Sequence, residues 1–213
     1  MGEDRYSELR RRVLNASLLM LKQALVTGTS GNVSGREPGA DWVAITPSGV
    51  PYESMKPDDI CIVDLSGRLV CGRHRPSSET PMHTLIYRER RDVLGVVHTH
   101  SPYALAFAIV KKPIRPVCVE AIGSGRGIPV ADYALLGTED IGRSALAALG
   151  TQHKAVLLQN HGVLAIGPSV EAAMTTACKV EDAARAYYLA LGIGEPVVLS
   201  DEQLSAIDEL RRK

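Results

Sequence analysis

Between residues 28 and 75 the chain never stays apolar for long enough to build a core helix. Val43-Ala44-Ile45, Ile60-Cys61-Ile62-Val63 and Leu69-Val70-Cys71 are cut apart by Gly, Pro and Asp. Pieces of three or four β-prone residues bounded by turn formers read as strands, and Ser66-Gly67 reads as the hairpin turn between the last two. Helical stretches frame this region. Residues 7–27 carry Leu9, Val13, Leu14, Leu18, Leu21 and Leu25 at helical spacing, with Gly28 as the stop. Thr80 with Pro81, and Ser101 with Pro102, each read as a helix cap followed by a first-turn proline, the helices running to about 88–91 and to Ile109. Residues 95–98 form a short strand. Thr138 with Glu139 and Asp140 opens another helix, Ser169 caps one reaching about Leu191, and 201–212 makes a last short one. Residues 155–158 and 163–166 read as strands about a tight turn at Asn160-His161-Gly162. Such strand clusters joined by helices imply an α/β sandwich, a mixed sheet with flanking helices. Without a linker or repeat to divide it, 1–213 reads as a single domain.

A chain of this length buries roughly 70% of its unfolded surface, so its core needs neither disulfide nor metal staples. Its 24 Lys+Arg balance 24 Asp+Glu, and its aromatic residues are one Trp, seven Tyr and one Phe. That argues against nucleic acid as a partner, which calls for a basic face and stacking surfaces. No apolar run reaches the ~18 residues of a membrane span. The N-terminal MGEDRYSELRRR lacks the apolar run of a signal peptide, and Tyr6 stands where myristoylation wants Ser or Thr. Cys61, Cys71, Cys118 and Cys178 form no CxxC pair and read as reduced thiols in a cytoplasm.

The chemistry gathers around three histidines. His98-Thr99-His100 leaves an apolar strand, and in extended chain that spacing sends both imidazoles to one face, within reach of one cation. The same pattern also fits two hydrogen-bonded surface histidines. His161, beside Gly162 at the end of a second strand, is the third candidate, and three imidazoles with an open position suit a catalytic divalent ion. Zinc comes first, with cobalt and manganese next. His74 reads as solvated, His83 as structural or near the site, and His153 as an exposed loop residue. Glu79, in Pro76-Ser77-Ser78-Glu79-Thr80-Pro81, stands at a predicted helix start where backbone N–H groups favour an anion. It is either a general base beside the metal or a helix-start carboxylate worth under ~1 kcal/mol. Gly28-Thr29-Ser30-Gly31-Asn32-Val33-Ser34-Gly35 and Thr46-Pro47-Ser48-Gly49 are turns of small donor residues. Together with Ser77 and Ser78 they can surround a phosphate, or they are plain flexible turns.

Five motifs in order, GTSGNVSGR at 28–36, ITPSG at 45–49, PSSE at 76–79, VVHTHS at 96–101 and QNHG at 159–162, resemble the class II aldolase/adducin family over nearly the whole chain. The resemblance implies a layered α/β/α fold with a central, mostly antiparallel sheet. It also implies a homotetramer with active sites between subunits. It implies that His98, His100 and His161 are zinc ligands and that Glu79 is the acid/base that also reaches the resting metal. Thr29, Gly31, Asn32, Ser48, Gly49, Ser77 and Ser78 match positions that bind substrate phosphate. The implied activity is that of a zinc-dependent aldehyde-lyase. It would cleave L-fuculose 1-phosphate, or a deoxypentulose or methylthio-pentulose 1-phosphate, to dihydroxyacetone phosphate and an aldehyde. Where the family pattern brings a tyrosine from a neighbouring subunit, this chain has Cys118, with Glu120 or Tyr133 as substitutes. The tyrosine usual in the tail has no counterpart before Arg211-Arg212-Lys213. The alternatives within the resemblance are a pentulose-phosphate 4-epimerase, which usually carries Asp where Glu79 stands, and a sugar-phosphate dehydratase or decarboxylase. A non-enzymatic adducin-like head is set against by the intact histidines.

Overall fold

The structure, a computed structural model, describes residues 5–211. Residues 1–4 of the charged N-terminal stretch and 212–213 of the tail lie outside the described residues. In chain order the elements are α1 (Ser7–Lys22), β1 (Asn32–Gly35), β2 (Trp42–Ile45), β3 (Cys61–Asp64), β4 (Leu69–Cys71), α2 (Thr80–Glu89) and β5 (Gly95–Thr99). They continue with α3 (Pro102–Ile109), α4 (Val119–Gly123), β6 (Val130–Ala131), α5 (Glu139–Leu149), β7 (Ala155–Leu158), β8 (Gly162–Gly167), α6 (Val170–Ile193) and α7 (Asp201–Arg211). Two short 3₁₀ turns, Tyr52–Ser54 and Pro57–Asp59, lie between β2 and β3.

The strands form one eight-stranded sheet in the order β4-β3-β2-β1-β5-β8-β7-β6. Every pairing is antiparallel except β6 with β7. Alternation along the strands divides the core into two layers. Ala44, Val97, Leu157, Val163 and Ala165 face α1, α3, α4 and α6. Val43, Ile45, Val96, Val156, Leu164 and Ile166 face α2 and α5. Both faces being covered, β5, β7 and β8 are buried throughout, and β7 and β8 read as continuous apolar runs rather than alternating ones. The layered α/β/α architecture with a mostly antiparallel sheet is the one expected.

Three local expectations change. The first helix ends at Lys22, not near Gly28. Ala24 takes a left-handed φ of 54°, Leu25 N–H donates to the Met20 carbonyl, and Ala24 N–H donates to that of Leu21. This Schellman closure turns Leu25 back into the core beside Met20. The stretch 32–35, expected to be the end of a loop, is β1, a buried inner strand of small residues. Thr80 is the first residue of α2 rather than its cap, which shifts the capping position to Glu79.

Candidate active site

β5 carries the first imidazole. His98 points to the same face as Val96, toward the N-terminal end of α2. Its Nδ1 lies 2.8 Å from the Val163 carbonyl, an acceptor only, so Nδ1 holds the proton and Nε2 keeps its lone pair. His100 follows the strand, its backbone N–H donating to the Leu25 carbonyl at the turned end of α1. His161 is set by the β7–β8 turn, where Asn160 adopts φ 57° and His161 N–H donates to the Leu158 carbonyl. The ring of His161 lies 4.7 Å from that of His98 and 5.2 Å from that of His100, centroid to centroid. One ligand nitrogen from each of the three rings falls within 4.8 Å of the others. Gly162 makes this approach possible: a Cβ there would stand 2.2 Å from the Thr99 carbonyl and 3.1–3.2 Å from the rings of His100 and His98.

Glu79 does not use its position for capping, since its side chain makes no hydrogen bond to the helix. Its oxygens instead stand 3.0 Å from His98 Nε2 and 3.5 Å from His161 Nε2. Both oxygens are buried and without a hydrogen-bond donor. His98 Nε2 also faces His100 Nε2 at 3.0 Å. Burial pushes all three imidazoles below their ordinary pKa, and in His98 the neighbouring His161 and His100 push the same way. Neutral lone pairs and an uncompensated carboxylate therefore converge on one point, which is costly without a cation between them. The donor set fits a divalent metal: nitrogen ligands near 2.0–2.1 Å from an ion put their atoms about 3.3 Å apart, close to the 3.0 Å between Nε2 of His98 and of His100.

The small-residue turns close on this point from three sides. Tyr52 Oη donates to the carbonyls of Ser30 and Gly31, holding the 28–31 loop. Gly31, at φ 74°, passes so close to β5 that a Cβ would stand 2.7 Å from the His98 carbonyl. The 46–49 and 76–79 turns are bridged to each other: Ser48 N–H donates to Arg75 O and Ser77 N–H to Thr46 O. Between them lies a cavity of about 360 Å³ lined by all the residues singled out above: Thr29, Gly31, Asn32, Ser48, Gly49, Ser77, Ser78, Glu79, His98, His100 and His161. Sequence reasoning missed Leu136 on the same wall, which reaches it from the segment between β6 and α5. No local pattern marked that residue.

The other histidines resolve differently. His83 is fully buried beneath the cavity, with Nε2 2.6 Å from Asn32 Oδ1. His74 is tied to Asp59 at 2.7 Å rather than free in solvent, and His153 is half-buried rather than exposed. Tyr133, considered as a proton donor, is 64% exposed and Cys118 and Glu120 are half-buried; none of the three lines the cavity. All four cysteines carry free thiols. Among the described residues no helix is long and apolar enough to cross a membrane.

The family model described as class II aldolase and adducin N-terminal domain matches residues 11–188. A 5-deoxy-D-ribulose 1-phosphate aldolase of Bacillus thuringiensis is 36% identical, over 92% of this chain and 91% of its own. A 5-methylthioribulose-1-phosphate/5-deoxyribulose-1-phosphate aldolase of Rhodospirillum rubrum is 37% identical, over 94% and 90%. An L-ribulose-5-phosphate 4-epimerase of Salmonella paratyphi B is also similar, 32% identical over 92% and 91%. Among solved structures, an L-fuculose 1-phosphate aldolase superposes with a TM-score of 0.92 at 33% identity, covering 97% of each chain.

Proposed function

The chain belongs to the class II aldolase and adducin N-terminal domain family, and from that premise we propose that it is a metal-dependent aldehyde-lyase. It reversibly cleaves a ketose 1-phosphate to dihydroxyacetone phosphate and an aldehyde. The observation that carries this is the cavity in which three imidazoles, a carboxylate without a donor and three donor-rich turns meet.

His98, His100 and His161 would hold the ion, with the Glu79 carboxylate beside it as a further ligand. Zinc suits this set first, then manganese or cobalt, and when bound it supplies Lewis-acid stabilisation of charge on the substrate oxygens. The hydroxyls of Thr29, Ser48, Ser77 and Ser78, the Asn32 amide and the backbone at Gly31 and Gly49 bind the phosphoryl group with neutral donors. Glu79 moves the proton at the carbon next to the carbonyl. In cleavage the carbinol hydroxyl gives its proton to Glu79 as its oxygen becomes the aldehyde carbonyl, the electron pair of the broken carbon–carbon bond stays on the carbon next to the ketone, and Glu79 passes the proton to that carbon; synthesis reverses each transfer. Leu136 offers an apolar surface to the aldehyde end. This favours deoxypentulose and methylthio-pentulose 1-phosphates, with L-fuculose 1-phosphate, over aldehydes ending in a charged group.

We take residues 1–213 as one domain, working in the cytoplasm as a homotetramer with active sites between subunits. The exposed apolar side chains Ile109, Val110, Tyr188, Leu191 and Ile193 support burial against other copies, and the free thiols support a reducing compartment. A product assay tests the activity. Zinc-loaded protein is incubated with these ketose 1-phosphates and with L-ribulose 5-phosphate. Release of dihydroxyacetone phosphate is expected, and an epimerised pentulose without it would replace the lyase with the epimerase.

A further inference from the structure

Asn32 enters the cavity with one end of its carboxamide already committed. Its Oδ1 lies 2.6 Å from His83 Nε2, while its amide nitrogen makes no hydrogen bond among the described residues. His83 Nδ1 lies 2.6 Å from Ser34 Oγ, and Ser34 Oγ lies 2.9 Å from Tyr87 Oη. His83, Ser34 and Tyr87 are all fully buried, so water cannot complete this chain of contacts. The near end has a fixed polarity, because the amide oxygen of Asn32 can only accept, so Nε2 of His83 carries the proton. With that proton on Nε2, Nδ1 of His83 accepts from the Ser34 hydroxyl, and Ser34 Oγ in turn accepts from Tyr87 Oη. The Asn32 NH₂ is then left for the cavity. A flipped carboxamide would set NH₂ against the Nε2–H of His83 and turn its carbonyl toward the phosphoryl oxygens, acceptor against acceptor.

We propose that His83 is a positioning residue: through Ser34 and Tyr87 it locks Asn32 with its amide donors toward the substrate phosphoryl group, and so sets phosphate affinity rather than the rate of the carbon–carbon step. The inference rests on the reading of Asn32 as a phosphate contact. It accounts for a buried histidine that takes no part in binding metal or moving a proton.

The test uses metal-loaded enzyme, with inorganic phosphate as a competitive probe beside the ketose phosphate. His83→Phe, which keeps a ring but loses the donor, is expected to raise both KM and the phosphate inhibition constant about tenfold while kcat changes less than about threefold. His83→Gln, which returns an N–H near the position of Nε2, is expected to recover most of that loss. Ser34→Ala, which removes the group feeding Nδ1, is expected to show a smaller shift of the same kind. It carries the test if His83→Phe does not fold. Phosphate affinity unchanged in folded His83→Phe and Ser34→Ala, with Asn32→Ala weakened, overturns the relay alone. Phosphate affinity unchanged in Asn32→Ala as well overturns the phosphate reading and the relay with it. A fall in kcat at constant KM also overturns the relay.

Discussion

At the scale of single residues, the site is defined by what its polar atoms lack. Glu79 is buried with no donor to either oxygen, and the Nε2 atom of His98 faces another nitrogen and that carboxylate. Glu79→Gln replaces a base with a group that cannot take a proton but keeps its size. The variant is expected to bind one divalent ion per chain by metal analysis. It should lose about 10²–10⁴-fold in the rate of deuterium exchange into dihydroxyacetone phosphate. Exchange at the parental rate would remove Glu79 from the chemistry. Residue types were what made this layer readable beforehand: histidines two apart on a strand and a glutamate beside two serines carry their chemistry with them. Leu136 carries none, and only its arrival at the wall from a distant segment distinguishes it from any other leucine.

Elements hold these residues in register. The β7–β8 hairpin delivers His161 to β5 because Gly162 lets the turn ride against Thr99. Gly162→Ala places a methyl against a backbone carbonyl that cannot move without parting two inner strands. It is expected to cost about 2–3 kcal/mol in denaturant unfolding and to weaken metal binding in a titration. The α1 terminus behaves similarly: its left-handed Ala24 ends the helix early so that the Leu25 carbonyl can receive the His100 N–H. Most elements were legible from apolar spacing and caps, and Ser169 does accept from Ala172 N–H at the start of α6. β1 was not, because Asn-Val-Ser-Gly has the composition of a turn and becomes a strand only between β2 and β5. Short α4 and the two-residue β6 were also unforeseen, being held by tertiary contacts rather than by periodicity.

For the whole molecule, burying so many imidazoles makes stability depend on pH with a definite sign. Burial pushes His83 down to about 3 from 6.5, and His98 well below its ordinary value. Below about pH 6.5 the unfolded chain takes up protons that the folded one refuses, so stability falls as pH drops through that window toward 3 and is flat above it. His83 alone accounts for about 1.4 kcal/mol per pH unit well inside the window, roughly 2 kcal/mol between pH 6.5 and 5. Urea unfolding of metal-free protein should show that fall, reduced in His83→Gln; identical curves at pH 7 and 5 would contradict it. The sequence by itself determined the α/β class, the donor chemistry and the polar residues that line the candidate cavity, though not Leu136. Periodicity, caps and side-chain pKa ranges are local properties, legible along the chain. The tertiary structure alone decided that β1 lies between β2 and β5, that β5 pairs with β8, and that the Glu79, His98 and His161 side chains meet. Strand order and convergence depend on contacts between segments tens of residues apart, and no local pattern encodes those.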